Sequence, residues 1–267
     1  NYWIRKSKYI MKIEEAKKIV YDLIDTFLKA GEISLELRKK GLIKKTKSDS
    51  TPVTNADIEV NNMFTKKIKE LTPEIPIVSE ENYDNKDTKN LKDFWLIDPI
   101  DGTYDFINNR DEFTLNAALI INKTPLIGII NAPEKKRLFF SYGKNFSYEL
   151  KNNKKIKLNC KKLSKKDEIV AVSYSDNLKP EISKIHKKFG VTKYVKMKSS
   201  YKFCVIATGE YDIYVAEPRA SEWDIAAGHA ILINAGGIIT DFEGNEIFYG
   251  KKNFSNPSLI IRRSTIL

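Results

Sequence analysis

Trp95-Leu96-Ile97-Asp98-Pro99-Ile100-Asp101-Gly102-Thr103 is the stretch around which the rest of this chain organises. An apolar run leads directly into two aspartates three positions apart, with a proline between them and a glycine after. Such a run, bounded by proline and glycine, reads as a buried strand. Pro99 is expected to end the sheet pairing, and Gly102 to let the backbone approach a ligand closely. Two carboxylates at one turn repel each other and desolvate poorly, and a cation held between them resolves both problems. Turn chemistry alone accounts for a generic Asp-x-x-Asp-Gly. The full Asp-Pro-x-Asp-Gly-Thr string is rarer, arising by chance roughly once in ten thousand chains of this length at average residue frequencies.

Outward from this stretch, strand-like runs cover residues 75–78 before it and 113–121, 126–132, 138–141 and 146–150 after it, which predicts a largely antiparallel sheet. Two helices precede the sheet. The first has a stripe through Ile13, Ala16, Val20, Leu23, Phe27 and Ala30 and is expected to stop at Gly31. The second is expected over 55–71, burying Ile58, Met63, Phe64, Ile68 and Leu71. Residues 44–53 are polar, contain Pro52, and read as a loop or loose hairpin. After about residue 155 the rhythm alternates: strands at 169–174, 194–197, 211–215, 237–240 and 258–261, helices at 180–189, 200–208 and 224–235. Alternation of this kind predicts an α/β layer. The expected organisation is an α+β subdomain over 1–154 carrying most of the acidic motifs and an α/β subdomain over 155–267 carrying Asp224. No linker separates them.

Composition narrows the chemistry. At 267 residues, 42% hydrophobic and 30% charged, the chain can bury a substantial core and has ordinary globular composition. The longest apolar runs, such as 126–130, are of strand length, so no membrane insertion is expected. Arg5, Lys6 and Lys8 precede no apolar stretch of signal-peptide length, and Met11 is read as the natural start, with residues 1–10 an extension. Cys160 and Cys204 stand far apart without metal-binding spacing, which suits a reducing cytoplasm. The two histidines, His186 and His229, cannot supply a zinc cluster. Any metal must then sit on oxygens, which points to magnesium or a similar hard cation. The net charge of +11 is compatible with nucleic acid, but the lysines are scattered through 39–47, 151–166 and 184–202 without an aromatic RNA-binding pattern. They read as solvated faces that can steer a small anionic substrate, with no nucleic-acid polymer as partner.

Further carboxylates stand at element ends. Ile77-Val78-Ser79-Glu80-Glu81 repeats the pattern of a short apolar strand running into acid. In Ser50-Thr51-Pro52-Val53-Thr54-Asn55-Ala56-Asp57, Asp57 falls in the first helical turn, where a negative charge is favourable in any protein. Glu222-Trp223-Asp224-Ile225-Ala226-Ala227-Gly228 opens a helix of small residues, and capping alone accounts for Asp224 there.

Taken together, these motifs resemble those of the lithium-sensitive, magnesium-dependent phosphatases related to inositol monophosphatase. Residues 95–108 (WLIDPIDGTYDFIN) and 223–237 (WDIAAGHAILINAGG) are similar to the two family signatures, with the Thr54–Asp57 and Glu80-Glu81 elements in the family's order. The resemblance implies a layered αβαβα sandwich of the inositol monophosphatase/fructose-1,6-bisphosphatase type and a homodimer. It implies two or three Mg2+ ions held by Glu80, Asp98, Asp101, Asp224 and the Ile100 carbonyl. Asp57 and Thr103 would orient the attacking water, with Glu80 beside them in the catalytic set, and the Gly102 and Thr103 amides would hold the phosphate. Oxygen ligands and paired ions about 3.5–4 Å apart suit an in-line displacement at phosphorus.

Within the group, Phe113-Thr114-Leu115-Asn116-Ala117-Ala118 and Lys47-x-Asp49-x-Thr51-Pro52-Val53-Thr54-x-Ala56-Asp57 look like the 3′(2′),5′-bisphosphate nucleotidases of the CysQ type. Lys198-Ser199-Ser200-Tyr201-Lys202-Phe203 is similar to that group's Ser-Ser-x-Lys element, implying Ser199 and Ser200 on the substrate side. A second phosphate would want cations, and Lys202 and Arg219 are the candidates. Ser173-Tyr174-Ser175-Asp176 stands where many of these nucleotidases carry an arginine and a histidine, and Tyr104-Asp105 where a Lys-Glu pair is frequent. The alternative reading is an inositol monophosphatase or broad sugar-phosphate phosphatase. A binding protein without turnover fits less well, because Asp57, Glu80, Asp98, Asp101, Thr103 and Asp224 are all present.

Overall fold

The stripe of Ala16, Ile19, Val20, Leu23, Phe27 and Ala30 folds as one face of α1 (Ile13–Lys40) in a computed structural model describing residues 11–47, 51–83, 91–160 and 168–263. The reading of 1–10 as an extension, Asp49, and part of the lysine run at 151–166 lie outside the described residues. α1 passes straight through Gly31 to Lys40. A Cβ on Gly31 would stand 2.5 Å from Asn131 Nδ2, so the glycine serves a close helix–sheet approach rather than a helix end. β1 (Lys44–Thr46) and β2 (Pro52–Thr54) form a small antiparallel pair leading into α2 (Asn55–Leu71). α2 buries Ala56, Val60, Phe64 and Ile68, whereas Ile58, expected inside, lies off that stripe and is 44% exposed.

β3 (Ile77–Ser79), β4 (Phe94–Asp101), the short helix α3 (Thr103–Ile107), β5 (Thr114–Ile121), β6 (Thr124–Ala132), β7 (Arg137–Ser141), β8 (Ser147–Lys151) and β9 (Lys154–Lys157) follow. Their seven strands form one sheet in sequential order, with β3 parallel to β4 and every other pair antiparallel. β9 carries no apolar signal because all four of its residues are exposed on the sheet edge.

The rest of the chain alternates: β10 (Ile169–Ser173), α4 (Pro180–Lys188), β11 (Val191–Lys196), α5 (Tyr201–Ala207), β12 (Ile213–Ala216), α6 (Glu222–Asn234), β13 (Ile238–Thr240) and β14 (Leu259–Arg262). These strands form a second sheet in the order β11-β10-β12-β14-β13, parallel on the β11-β10-β12 side and antiparallel around β14.

Strand alternation fixes the stacking. Trp95, Ile97, Leu115, Leu119 and Ile129 point to α1 and α2. Phe94, Leu96, Ala118, Ile120 and Ile130 point the other way, into a core shared with α5 and α6 and with Tyr214, Ala216, Leu259 and Ile261 of the second sheet. On that sheet's far face, Ala171, Ile213, Val215 and Ile260 meet Ile182 and Ile185 of α4. The result is the five-layer αβαβα sandwich. α6 is covered on both sides, which is why it is apolar almost all round. No described helix is long and apolar enough to cross a membrane.

Candidate active site

The site begins with a defect in β4. Asp98 pairs with Asn116 and Asp101 with Thr114, so three steps on β4 oppose two on β5. That is a β-bulge, and Pro99 sits inside it, where a missing N–H costs no ladder bond. The expectation that Pro99 ends the strand is therefore corrected: β4 continues to Asp101. Three residues apart on a regular strand, the two aspartates would face opposite sides of the sheet. The extra residue lets both line one cleft.

Four other element ends meet there. Glu80 follows β3, its amide hydrogen-bonded to the Ile97 carbonyl at 3.0 Å. Asp57 closes a capping box at the start of α2, its Oδ2 accepting from the Thr54 amide (2.7 Å) and hydroxyl (2.6 Å). Asp224 does the same at the start of α6, accepting from the Ser221 amide at 2.8 Å. Gly102, at φ +91°, turns the chain into α3; a Cβ there would stand 3.0 Å from the Glu112 carbonyl oxygen. The Thr103 hydroxyl reaches the Ile100 carbonyl at 2.9 Å and Asp57 Oδ1 at 3.3 Å.

The cleft, of about 390 Å³, is lined by Glu80, Asp98, Ile100, Asp101, Gly102, Thr103, Asp224, Ser199 and Arg219 among others. Asp57 stands one hydrogen bond behind Thr103. Ser200 and Lys202 line an annex of about 110 Å³ that shares Asp101, Ser199, Arg219 and Asp224 with the cleft. Ser199 holds a left-handed backbone (φ 52°), an uncommon conformation for serine. The turn it begins sends the Ser200 amide to Asp101 Oδ2 and the Ser199 carbonyl to Lys202 Nζ. Every candidate site residue thus lies in, or one contact from, these two adjoining cavities.

Three participants had no role assigned from sequence. Lys47 Nζ bridges Glu80 (2.9 Å) and Glu81 (2.8 Å), thirty-odd positions away. Tyr174 and Lys198 line the cleft, and the Lys198 amide is held by Glu112 at 2.9 Å. Lys47 lies in a motif quoted above, but nothing local in sequence links it to the end of β3.

Burial dominates the electrostatics. It pushes Asp98 well above the usual carboxylate range, with repulsion from Glu80, Asp101 and Asp224 adding to it. Burial, then Asp101, raises Asp224 to about 8. Burial also raises Asp101, against the opposing pull of Lys202 and the Ser200 amide. Lys202 drops to about 8 for the same reason, burial outweighing its attraction to Asp101. Burial works to lower Lys47 too, but Glu80 and Glu81 outweigh it and hold the ammonium above its ordinary range.

Carboxylates crowded this tightly call for a positive charge. Asp98 Oδ1 is fully buried with no hydrogen-bond partner, which is costly unless something electropositive meets it. Among the described residues, no three His, Cys, Asp or Glu side chains form a closed cage. Glu80 leans on Lys47 and Asp101 on the Ser200 amide instead. The donor set, all oxygen, fits a hard divalent cation.

A five-layer αβαβα sandwich with this acidic cleft at its strand and helix ends places the protein in the class of phosphatases. The inositol monophosphatase family model matches residues 12–264. The chain belongs to the inositol monophosphatase family. It is 37% identical over 205 residues to the 3′(2′),5′-bisphosphate nucleotidase CysQ of Buchnera aphidicola, covering 76% of each chain. It is 34% identical to the CysQ of Salmonella typhimurium, covering 79% of this chain and 85% of that one. Among solved structures it resembles CysQ from Bacteroides thetaiotaomicron, a bacterial member of the inositol monophosphatase family, at 30% identity and a TM-score of 0.74. That match covers 92% of this chain and 97% of the other.

Proposed function

We propose that this protein is a magnesium-dependent 3′(2′),5′-bisphosphate nucleotidase, converting adenosine 3′,5′-bisphosphate to AMP and phosphate. The observation that carries the reading is the continuity of two unlike compartments. An acidic cleft with the orphaned Asp98 Oδ1 runs into an annex containing the buried Lys202 and the guanidinium of Arg219. A substrate with two phosphates needs both ends.

Glu80, Asp98, Asp101, Asp224 and the Ile100 carbonyl hold the metal, two or three Mg2+ ions per site. Bound there, magnesium lowers the pKa of water and neutralises charge on the phosphoryl oxygens. The Thr103 hydroxyl, fixed between Asp57 and the Ile100 carbonyl, orients the attacking water together with Asp57 and Glu80. The Gly102 and Thr103 amides receive the phosphate. Ser199 and Ser200 shape the wall next to the nucleoside, and Lys202 and Arg219 meet the second phosphate. Its working form is a cytoplasmic homodimer inhibited by lithium.

A panel at fixed magnesium tests this: adenosine 3′,5′-bisphosphate, its 3′-phosphosulfate analogue, inositol 1-phosphate, fructose 1,6-bisphosphate and a 5′-monophosphate. The bisphosphate nucleotide is expected to lead. In Lys202→Met or Arg219→Met, its kcat/KM should fall roughly ten- to a hundredfold, as expected for losing a charge-assisted hydrogen bond. Inositol 1-phosphate should be barely affected. If wild type prefers inositol 1-phosphate, or both substrates fall together, the inositol monophosphatase reading replaces this one.

A further inference from the structure

The same cavity holds an aromatic group that the sequence left as a departure. Tyr174 follows the C-terminal end of β10 and lines both the acidic cleft and the annex. Lys198 Nζ stands 3.3 Å and Arg219 Cζ 3.4 Å from its ring centroid. Both cationic heads thus pack against the one tyrosine ring. Lys202 Nζ is 5.8 Å from the same ring and 5.1 Å from that of Tyr214.

We propose that Tyr174 is a positioning residue, its ring fixing Lys198 and Arg219 as a two-cation clamp for the second phosphate of the substrate. This deepens the nucleotidase reading and rests on it. Lys198 and Arg219 are long, flexible side chains that would otherwise be disordered and would repel one another. The electron-rich ring of one tyrosine holds both, because a cation over an aromatic ring is attracted by its quadrupole. Among the described residues, three acids of the neighbourhood are engaged elsewhere. Glu112 is engaged by the Lys198 amide, Glu217 pairs with Lys179, and Asp101 faces Lys202 and the Ser200 amide. Hydrogen bonding from Arg219 also holds the Tyr174 hydroxyl below the ordinary phenol range, as expected beside concentrated positive charge. A phosphate dianion entering the clamp would meet cations already in place, so their ordering cost would not be charged to binding.

Product inhibition reads this subsite without chemistry. AMP retains the phosphate that the clamp would hold, whereas inorganic phosphate can still compete with the scissile phosphate at the acidic end when the clamp is lost. Tyr174→Ala is expected to raise the inhibition constant of AMP about five- to tenfold, the range for losing cation–π contacts. The constant for inorganic phosphate should stay within about twofold. Tyr174→Phe, which keeps the ring, should recover most of the loss. Lys198→Met and Arg219→Met should each weaken AMP, and Tyr174→Ala combined with Arg219→Met should cost less than the sum of the two. The clamp is overturned if wild type cleaves the bisphosphate and is inhibited by AMP while Tyr174→Ala leaves that inhibition unchanged. It is equally overturned if AMP and inorganic phosphate weaken together. If wild type neither cleaves the bisphosphate nor responds to AMP, the nucleotidase reading fails and the clamp with it.

Discussion

Asp98 is the residue on which the site turns. Its carboxylate is buried among Glu80, Asp101 and Asp224, and one oxygen has no partner. Asp98→Asn removes a charge from a repelling cluster, so the metal-free variant should melt at the same temperature as wild type or higher. Turnover should drop by about a hundredfold or more, the scale seen when one electrostatic partner of a transition state is removed. Near-normal magnesium-dependent activity in that variant would show that the cation sits elsewhere. Asp224 adds a pH dependence. Its ordinary value is 3.8 and its folded value about 8, so the folded, metal-free protein binds this proton more tightly than the unfolded chain. That contribution is complete below the unfolded value and is lost as pH rises through the folded one. Asp98 and Asp101 shift in the same direction. Calorimetry of the metal-free protein should therefore show a falling melting temperature between about pH 5 and pH 8. Asp224→Asn should flatten the slope, and magnesium should restore stability at the upper end. A slope unchanged by the substitution would assign it to other groups.

At the scale of elements, strands and helices matter as carriers of their ends. α6 places Asp224 by lying directly against β6, and Gly128 makes that possible. A Cβ on Gly128 would stand 2.3 Å from the Ala227 carbonyl oxygen and 2.9 Å from Ala230 Cβ. Backbone cannot yield as a side-chain tip can, so Gly128→Ala should destabilise the protein by about 1–3 kcal/mol, the usual cost of overpacking a core. Because the displaced helix carries Asp224, kcat/KM should fall even at temperatures where the variant is folded. Full activity with lowered stability would mean that α6 absorbs the shift without moving its first turn. Most element types were legible in the spacing of apolar residues, and α2 agrees to the residue, but the short helix α3 and the exposed edge strand β9 were not. The length of α1 was not, since Gly31 serves a packing contact with Asn131 that no local pattern reveals. The bulge at Pro99 was equally hidden: a proline that stops one strand is accommodated in another when the ladder already skips a residue.

Across the whole molecule, Arg137 ties the layers together. From β7 its guanidinium meets Glu149 of β8 at 2.6 Å, the Tyr201 hydroxyl of α5 at 2.6 Å and Glu210 beyond α5 at 2.6 Å. The first sheet is thus joined to the helix that bears Lys202. Removing one member of a buried ion pair leaves the other charge uncompensated and costs about 3–5 kcal/mol. Arg137→Met should lose stability of that order in urea unfolding, and a loss within error of zero would show that Glu149 finds another partner or protonates.

The sequence by itself determined the alternation of elements, the acidic motifs at their ends and the family to which the chain belongs. These are local properties: apolar periodicity, capping residues and short strings of fixed chemistry sit within a few positions of one another. Only the tertiary structure decided which ends meet. It turned Asp98 and Asp101 to one side through a bulge, set Lys47 on Glu80 and Glu81, and packed Lys198 and Arg219 against Tyr174. Those contacts join residues tens of positions apart, brought together by the packing of layers whose buried faces are generic hydrocarbon. Apolar burial is non-directional, so it drives the layers together without recording in any one stretch which side chains will be left facing each other across the cleft.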